Sequence, residues 1–378
     1  MIFRTETFKT ACSNILSALD SSASTEVSAL LQIKQADEHT LALSVTNNEY
    51  FVTVKMPVTE AFSFPSAITI GALQFLKLIS KCTTDSVEID IVDKYVKVKA
   101  NGEYKFPLVF GSDGNVLNLP EISIGEVTSS FEVNSDTLAS VLKYNGRELT
   151  KVSEQLKDTR AIYRLIYLDD KGAVSFTTGA CVNDFAFPTT LKLLLPEKIV
   201  RLFKLLPNAT NVGVDFGVRE ILDSITQSQI KFVTPTVEIT AVLPNNDKLL
   251  TAVPVGKTRE FANTVLPYSA TINKAVLLSA ITRLQLFVDG ADVVDVGTFE
   301  FHSDRVVIYD NKKNNQEVIL FDENVAGLTE PFTCKLRLTD LKLTAETCDD
   351  HFVLNFGAEQ SVNIIVTDSV TNILATVQ

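Results

Sequence analysis

The chain has 378 residues, of which 46% are hydrophobic, with no Trp, two Met and 23 Phe. That length accommodates two or three ordinary domains, with cores that need neither disulfide nor metal. Its 34 Lys+Arg against 46 Asp+Glu leave a net charge of -12, which excludes a protein that coats nucleic acid or anionic membrane by bulk charge.

The five cysteines (Cys12, Cys82, Cys181, Cys334 and Cys348) are scattered and form no CxxC pair. This fits neither a disulfide framework nor a zinc site and suits a reducing, cytoplasmic compartment. No apolar run nears the roughly 20 residues of a membrane span, and the opening MIFRTETFKTACSN has no leader pattern. The chain is expected to be soluble.

In chain order, helix-period apolar patterns follow cap residues near Thr5 (ETFKTACSNILSAL), Thr69 (IGALQFLKLISKC), Asn134 (SDTLASVLKYNGR), Leu195 (PEKIVRLFKLL), Asn273 (KAVLLSAITRLQL) and Thr339 (DLKLTAETC). They predict six helices, over 6–19, 71–82, 135–147, 196–206, 273–286 and 340–348. Thr and Asn are read as N-caps, and Pro196 as a first helical residue whose missing N–H costs nothing. The starts recur every 61 to 78 residues, the mark of an internal repeat. After each helix come short alternating strands. The second is followed by SVEIDIV, YVKVKA and EYKFPLVF, and the sixth by HFVLNF, SVNIIVT and TNILATV. After the third, AIYRLIYL and AVSFTT flank the turn Asp169-Asp170-Lys171-Gly172.

The unit is therefore one helix plus an antiparallel meander, an α+β class. Such a unit cannot cover both sheet faces alone, so units are expected to pair into three similar domains, each with two helices backed by sheet. The stretches Leu119-Pro120-Glu121 and Val255-Gly256-Lys257-Thr258 read as linkers. The expected domains are 1–122, 123–260 and 261–378.

Catalytic chemistry is scarce. His39, His302 and His351 stand singly, with no partner set at defined spacing. Gly256-Lys257-Thr258 ends like a phosphate loop, but Thr251 replaces the earlier glycine. Gly111-Ser112-Asp113-Gly114 reads as a turn, and Asp169-Asp170 and Asp349-Asp350 fall at turns and helix exits. No enzyme, metal or cofactor is expected.

Charge is divided unequally between helices and the remainder. The predicted helices hold Lys9, Lys77, Lys81, Lys143, Arg147, Lys198, Arg201, Lys204, Lys274, Arg283 and Lys342 against only five acids, a balance of +6, and the rest of the chain carries −18. Four of those acids (Glu6, Asp136, Glu197, Asp340) lie in first turns, where the helix dipole favours them. Lys77 and Lys81 share a face, as do Lys198, Arg201 and Lys204 opposite Ile199, Leu202, Phe203 and Leu206. Six such helices on one surface would attract a polyanion through phosphate contacts that do not read sequence.

The whole chain resembles the bacterial-type sliding clamp, the β subunit of replicative DNA polymerase III. The resemblance rests on ALLQIKQADEHTLALSVTNNEYFVTVKMPV, on TIGALQFLKLISKC with the strands after it, on LLPEKIVRLFKLL and on the strands after Cys348. It implies a head-to-tail homodimeric ring around duplex DNA, with the basic helix residues facing the DNA and Lys198, Arg201 and Lys204 on the best-matched helix. At the dimer contact it implies Phe106, Leu108, Leu286 and Phe287, which serve equally well as ordinary core. It maps a partner-peptide pocket to Tyr163, Thr178, Val253, Ser361, Val362, Ile373, Leu374, Ala375 and Val377. Polymerase and clamp loader would bind there through short motifs.

The chain departs from the family in that pocket. Gly179-Ala180-Cys181-Val182 replaces an Asp-Gly-His-Arg-like turn, and the last residues read ATVQ. The connection GRELTKVSEQLKDTR is also longer and more charged. The expected function is a DNA polymerase processivity factor. The alternative is a non-enzymatic assembly protein, such as a viral scaffold, that uses the repeated sheets.

Overall fold

The structure is a computed structural model describing all residues except 21–25, 59–66, 223–224, 246, 288–294, 358–362 and 378. Its repeat is a strand, a helix and three strands. The first copy runs β1 (Ile2–Arg4), α1 (Thr5–Ala18), β2 (Leu30–Asp37), β3 (Thr40–Thr46) and β4 (Tyr50–Pro57). The second is β5 (Ile68–Gly71), α2 (Ala72–Lys81), β6 (Ser86–Val92), β7 (Tyr95–Lys99) and β8 (Glu103–Pro107). In the third, β9 (Glu126–Asn134) leads into α3 (Ser135–Val141), a π turn over Leu142–Gly146, α4 (Arg147–Leu149) and α5 (Glu154–Thr159). Its meander is β10 (Leu165–Asp169), β11 (Gly172–Phe176) and β12 (Ala180–Asp184).

The fourth has β13 (Leu193–Pro196), α6 (Glu197–Val200) with a 3-10 extension over Arg201–Leu205, then β14 (Asn211–Leu222), β15 (Ile225–Val233) and β16 (Val237–Leu243). Two helices follow it, α7 (Asp247–Ala252) and α8 (Val255–Ala262). The fifth is β17 (Tyr268–Asn273), α9 (Lys274–Leu284), a 3-10 turn at Gln285–Phe287, β18 (Val296–Phe301), β19 (Arg305–Tyr309) and β20 (Gln316–Leu320). The sixth is β21 (Phe332–Arg337), α10 (Leu338–Thr347), β22 (His351–Phe356), β23 (Asn363–Thr367) and β24 (Thr371–Ala375). The class is α+β, with the strands in four antiparallel sheets.

The six predicted helices fall within two residues of their observed bounds. Two predicted caps act as caps: the Asn134 side chain accepts from Asp136 N at 2.8 Å and Asn273 from Val276 N at 3.1 Å. The others do not. Thr5 is already helical, Thr69 lies in β5, Pro196 is the N-cap rather than the first helical residue, and Thr339 bonds to Asp295 from inside α10. The stretch 255–258 is the start of α8 and not an open linker. The strand ahead of each helix went unread because it is short and its partner is remote.

That strand decides the topology. β1 pairs with β6, β5 with β2, β9 with β14, β13 with β10, β17 with β22 and β21 with β18. Repeats one and two, three and four, and five and six thus exchange their leading strands.

The chain forms two compact units. One comprises Met1–Asp136 with Leu202–Pro244. It holds the four-stranded sheet β1-β6-β7-β8 and the eight-stranded sheet β5-β2-β3-β4-β16-β15-β14-β9. α1 buries Phe8, Ala11, Cys12, Ile15 and Ala18, a stripe at helical spacing. It packs against α2, with Phe8 edge-on to Phe75 at 6.1 Å. Tyr50 donates its hydroxyl to Ala18 O at 2.6 Å, which fixes the helix-facing side of β4 as Tyr50, Val52, Val54 and Met56.

The second unit comprises Thr137–Arg201 with Asn245–Gln378. It holds the eight-stranded sheet β13-β10-β11-β12-β24-β23-β22-β17 and the four-stranded sheet β20-β19-β18-β21. α9 packs on α10 over a Phe-rich core in which Phe301 stacks on Phe356 at 4.2 Å. At the hairpin turn before β11, Gly172 has φ +119, and a Cβ there would lie 2.2 Å from Asn183 O. Under the third helix the core is polar. Asn145 donates to Ser175 Oγ at 3.3 Å and Cys181 O at 3.2 Å, and Asn183 donates to Asn145 Oδ1 at 3.2 Å.

The charged connection after that helix is folded inward. Lys151 and Glu148 are buried and pair at 2.5 Å, Thr177 donates to Glu148 Oε1 at 3.0 Å, and Lys151 donates to Thr344 on α10. Breaking a buried pair strands a charge, whereas replacing both partners does not. Lys151→Met is expected to destabilise by about 3–5 kcal/mol. Glu148→Leu combined with Lys151→Met should recover most of that loss, read from urea unfolding of the two variants.

Candidate nucleic-acid and partner-binding surfaces

The helices carry the basic residues outward, but most of those cations already have a partner. Lys9 pairs with Glu6 at 3.4 Å, Arg147 with Glu346, Arg201 with Glu197, and Arg283 with Glu317 through two bonds of 2.6 Å. Lys274 donates to Cys348 O at 2.6 Å and Lys342 to Gln285 Oε1 at 3.3 Å. Lys143 donates to the Tyr144 hydroxyl at 2.8 Å. That bond, followed by the nearby Tyr144, Asp349 and Asp368 charges, raises its pKa. Lys198 is partnered as well. Lys77, Lys81 and Lys204 are exposed and make no ion pair or side-chain hydrogen bond among the described residues. Ion pairing between elements far apart in sequence, such as Arg283 with Glu317 and Arg147 with Glu346, leaves no local pattern to read.

The two eight-stranded sheets differ on the face turned away from the helices. In the first unit it is polar: Ser44 and Thr53 share a hydrogen bond of 2.9 Å, and Lys231 pairs with Glu238 at 2.9 Å, as does Lys55 with the same carboxylate. In the second it is apolar. Leu165, Tyr167, Val174, Phe176, Val182 and Ile373 form one buried cluster, against which Tyr163, Leu249, Leu250, Val253 and Phe261 pack half-buried.

The predicted pocket residues Tyr163, Val253 and Ile373 therefore meet in one apolar cluster. Thr178 instead donates to Asp340 Oδ2 at 3.1 Å, and Leu374 faces the opposite side and joins the core under α9 and α10. Ala375 ends β24, and Val377 donates its N–H to Lys335 O at 2.9 Å. Ser361 and Val362 lie outside the described residues. Gly179 touches the last strand so closely that a Cβ would sit 1.8 Å from Ile373 O, so this segment is strand-bound and not an open turn. The sequence reading missed Leu249, Leu250 and Phe261, although Leu249, Leu250 and Val253 have helical spacing.

Arg259 fastens α8 over this surface. Its Nη1 and Nη2 each donate to Asp169 at 2.8 Å, and Nη2 also reaches Gly172 O at 3.3 Å. Burial pushes the Asp169 carboxyl up, but hydrogen bonds from Arg259 and Lys171 N–H and the guanidinium charge hold it below its ordinary value.

Among the described residues each sheet ends in two strands with one open edge; six of these eight ends are leading strands, and the other two, β8 in the first unit and β20 in the second, are last strands of meanders that lack the second meander found beside β4 and β12. Beside or near β8 and β20, Leu286 is 78% and Phe287 55% exposed, and Val318, Leu320 and Tyr104 are also exposed. Phe106 packs edge-on against Phe75 at 5.3 Å, and Leu108 is buried within its own unit.

Among the described residues, no group of His, Cys, Asp and Glu could hold a metal ion. His302 bonds Glu300 at 2.9 Å, His351 bonds Asp322 at 2.6 Å, and His39 is exposed in a turn. All five cysteines are buried, and burial raises each thiol pKa. No described helix is long and apolar enough to cross a membrane.

No protein-family model matches this sequence, and neither does any curated protein. Solved structures do match. The β subunit of DNA polymerase from Streptococcus pyogenes superposes with a TM-score of 0.78 at 15% identity, covering 100% of this chain and 99% of its own. The DNA polymerase sliding clamp of Bacillus subtilis gives 0.75 at 14%, covering 100% and 98%. The Helicobacter pylori beta clamp, solved bound to a DNA ligase peptide, gives 0.75 at 13%, covering 100% and 99%. The fold is that of the bacterial sliding clamp.

The Arg259–Asp169 pair gives a pH signature. A depressed carboxylate pKa contributes stability above the unfolded value near about 3.9, lost as pH falls through the lower folded value. Asp169→Asn is expected to lower stability by a constant amount above about pH 5, where the charged pair contributes fully, with the gap to wild type closing as pH falls through the folded pKa. Urea midpoints measured from pH 2.5 to 7 in both proteins test this.

Proposed function

We propose that this chain is a DNA sliding clamp, a non-enzymatic processivity factor that closes around duplex DNA as a head-to-tail homodimer. The observation that carries this reading is the incompleteness of two sheets. Each eight-stranded sheet arises where two meanders meet edge to edge, β4 on β16 and β12 on β24. The four-stranded sheets β1-β6-β7-β8 and β20-β19-β18-β21 have the strand order of the two missing halves. Joining β8 of one copy to β20 of another would complete a third sheet of the same plan. Because those edges belong to different units, the contact is heterologous, and a closed pair repeats it twice.

The exchanged leading strands support three domains, 1–122, 123–260 and 261–378, each made of two repeats. Leu286, Phe287, Val318 and Leu320 suit the dimer contact, while Phe106 would contribute only its exposed part and Leu108 only indirectly. The basic helices would face the duplex. The apolar cluster under α7 and α8 would take short apolar peptide motifs of polymerase and loader, as a relative takes a DNA ligase peptide. Work at the replication fork places the protein in the cytoplasm.

Topology would do the holding, and tethering raises the polymerase's effective concentration at the primer end. The protein should stay on closed circular plasmid through gel filtration after loading and leave when the plasmid is linearised. Equal retention on both forms would overturn the clamp reading in favour of ordinary binding. Leu286→Glu with Leu320→Glu should shift the sedimentation mass from dimer to monomer, at unchanged far-ultraviolet circular dichroism, and abolish retention on circles.

A further inference from the structure

Resting on the clamp reading, we propose that the attraction between ring and duplex is supplied by one patch: Lys77, Lys81 and Lys204, arranged on both sides of α1. The other eight basic residues of the six repeat helices add little to it.

All three lysines belong to the first unit. Lys77 and Lys81 lie one turn apart on α2, which packs against α1. On its other side α1 walls a groove of about 750 Å³, lined by Glu6, Thr7, Thr10 and Asn14 of the helix and by Lys204 and Asn208 opposite, with the Glu6 carboxylate paired to Lys9. A duplex backbone crossing α1 would meet ammonium groups on either flank and polar side chains between them. Lys55, also at the groove, is excluded from the patch because it is held by Glu238.

The partnered cations contribute differently. A guanidinium resting on a carboxylate presents a nearly neutral pair to the surroundings, and a phosphate that captures it must displace one anion to bind another. Arg283 illustrates this, with two bonds to Glu317 of 2.6 Å each. Arg147 on Glu346 and Arg201 on Glu197 behave likewise. Lys274 and Lys342 retain their charge but direct it at Cys348 O and Gln285. Lys77, Lys81 and Lys204 need give up nothing but water and counterions, so among the eleven basic residues of the six repeat helices they release salt in full on meeting phosphate.

Counterion release makes this measurable, since log K falls with log salt at about 0.9 per phosphate neutralised. The full-length protein is titrated against a fluorescein-labelled linear 30-base-pair duplex by anisotropy between 50 and 200 mM NaCl. Lys77→Ala, Lys81→Ala and Lys204→Ala together should flatten the slope by about 2.7 for each protomer's patch that the duplex engages. Over that fourfold salt range the wild type would then lose about 40-fold more affinity than the variant per engaged patch. Arg147→Ala, Arg201→Ala and Arg283→Ala together should leave the slope within one unit of wild type. Equal flattening by both triples, or flattening by the arginine triple alone, overturns the assignment. Retention of the wild type on closed circles is measured alongside. Its loss would count against the clamp reading itself, whereas a wrong slope with retention intact counts only against this patch.

Discussion

Everything in this fold depends on one constraint: a three-stranded meander leaves a row of unpaired backbone donors and acceptors along each edge. The first edge is filled by the leading strand of the paired repeat, as β1 fills β6 and β5 fills β2. The second is filled by the next meander, as β4 meets β16 and β12 meets β24. This exchange makes a repeat incapable of standing alone and fixes which repeats belong together. It also leaves two meander edges, β8 and β20, without a second meander among the described strands.

The helices were legible because their signal is local. Phe8, Ala11, Cys12 and Ile15 repeat at the spacing of a buried stripe, and burial follows that spacing. The leading strands were not, since five of the six have only three to six residues, such as Ile2–Arg4 or Tyr268–Asn273, too few alternations to register, and the nine-residue Glu126–Asn134 is mostly polar. Their meaning lies in partners some 80 residues away, as with Phe3 and Val87. The site divides the same way. Basic helix faces could be read directly, and so could the one-turn pairs Lys9–Glu6 and Arg201–Glu197, whereas Glu346 and Glu317, which hold Arg147 and Arg283, come from other elements. The α7–α8 segment misled because Gly256 and Pro254 look like linker residues, yet Pro254 is the N-cap of α8 and Gly256 falls in its first turn.

The far faces of the two long sheets show how one repeated plan yields one apolar docking surface and not two. Polar residues on β3, β4, β15 and β16 satisfy one another across strands, so water covers that face at no cost. Tyr167, Val174, Phe176 and Val182 cannot do so, and α7 and α8 cover them only in part. The half-buried Tyr163, Val253 and Phe261 are what a partner would find there. Arg259 adds a constraint on shape, because its two bonds to Asp169 tie the covering helix to the hairpin beneath it.

The net charge of -12 acquires a physical sense once pairing is included. Counting charges by element gives basic helices, but four of their eleven cations are held in ion pairs and others are hydrogen-bonded within the chain. A ring that holds DNA by enclosure gains nothing from a strong field, since each additional phosphate contact must be broken at every step along the duplex. On the clamp reading, a patch of three uncommitted lysines would centre the duplex without arresting it, and the acidic remainder would repel strands that approach from outside. Weak attraction is therefore no failure to bind DNA. It is the condition under which enclosure and movement coexist.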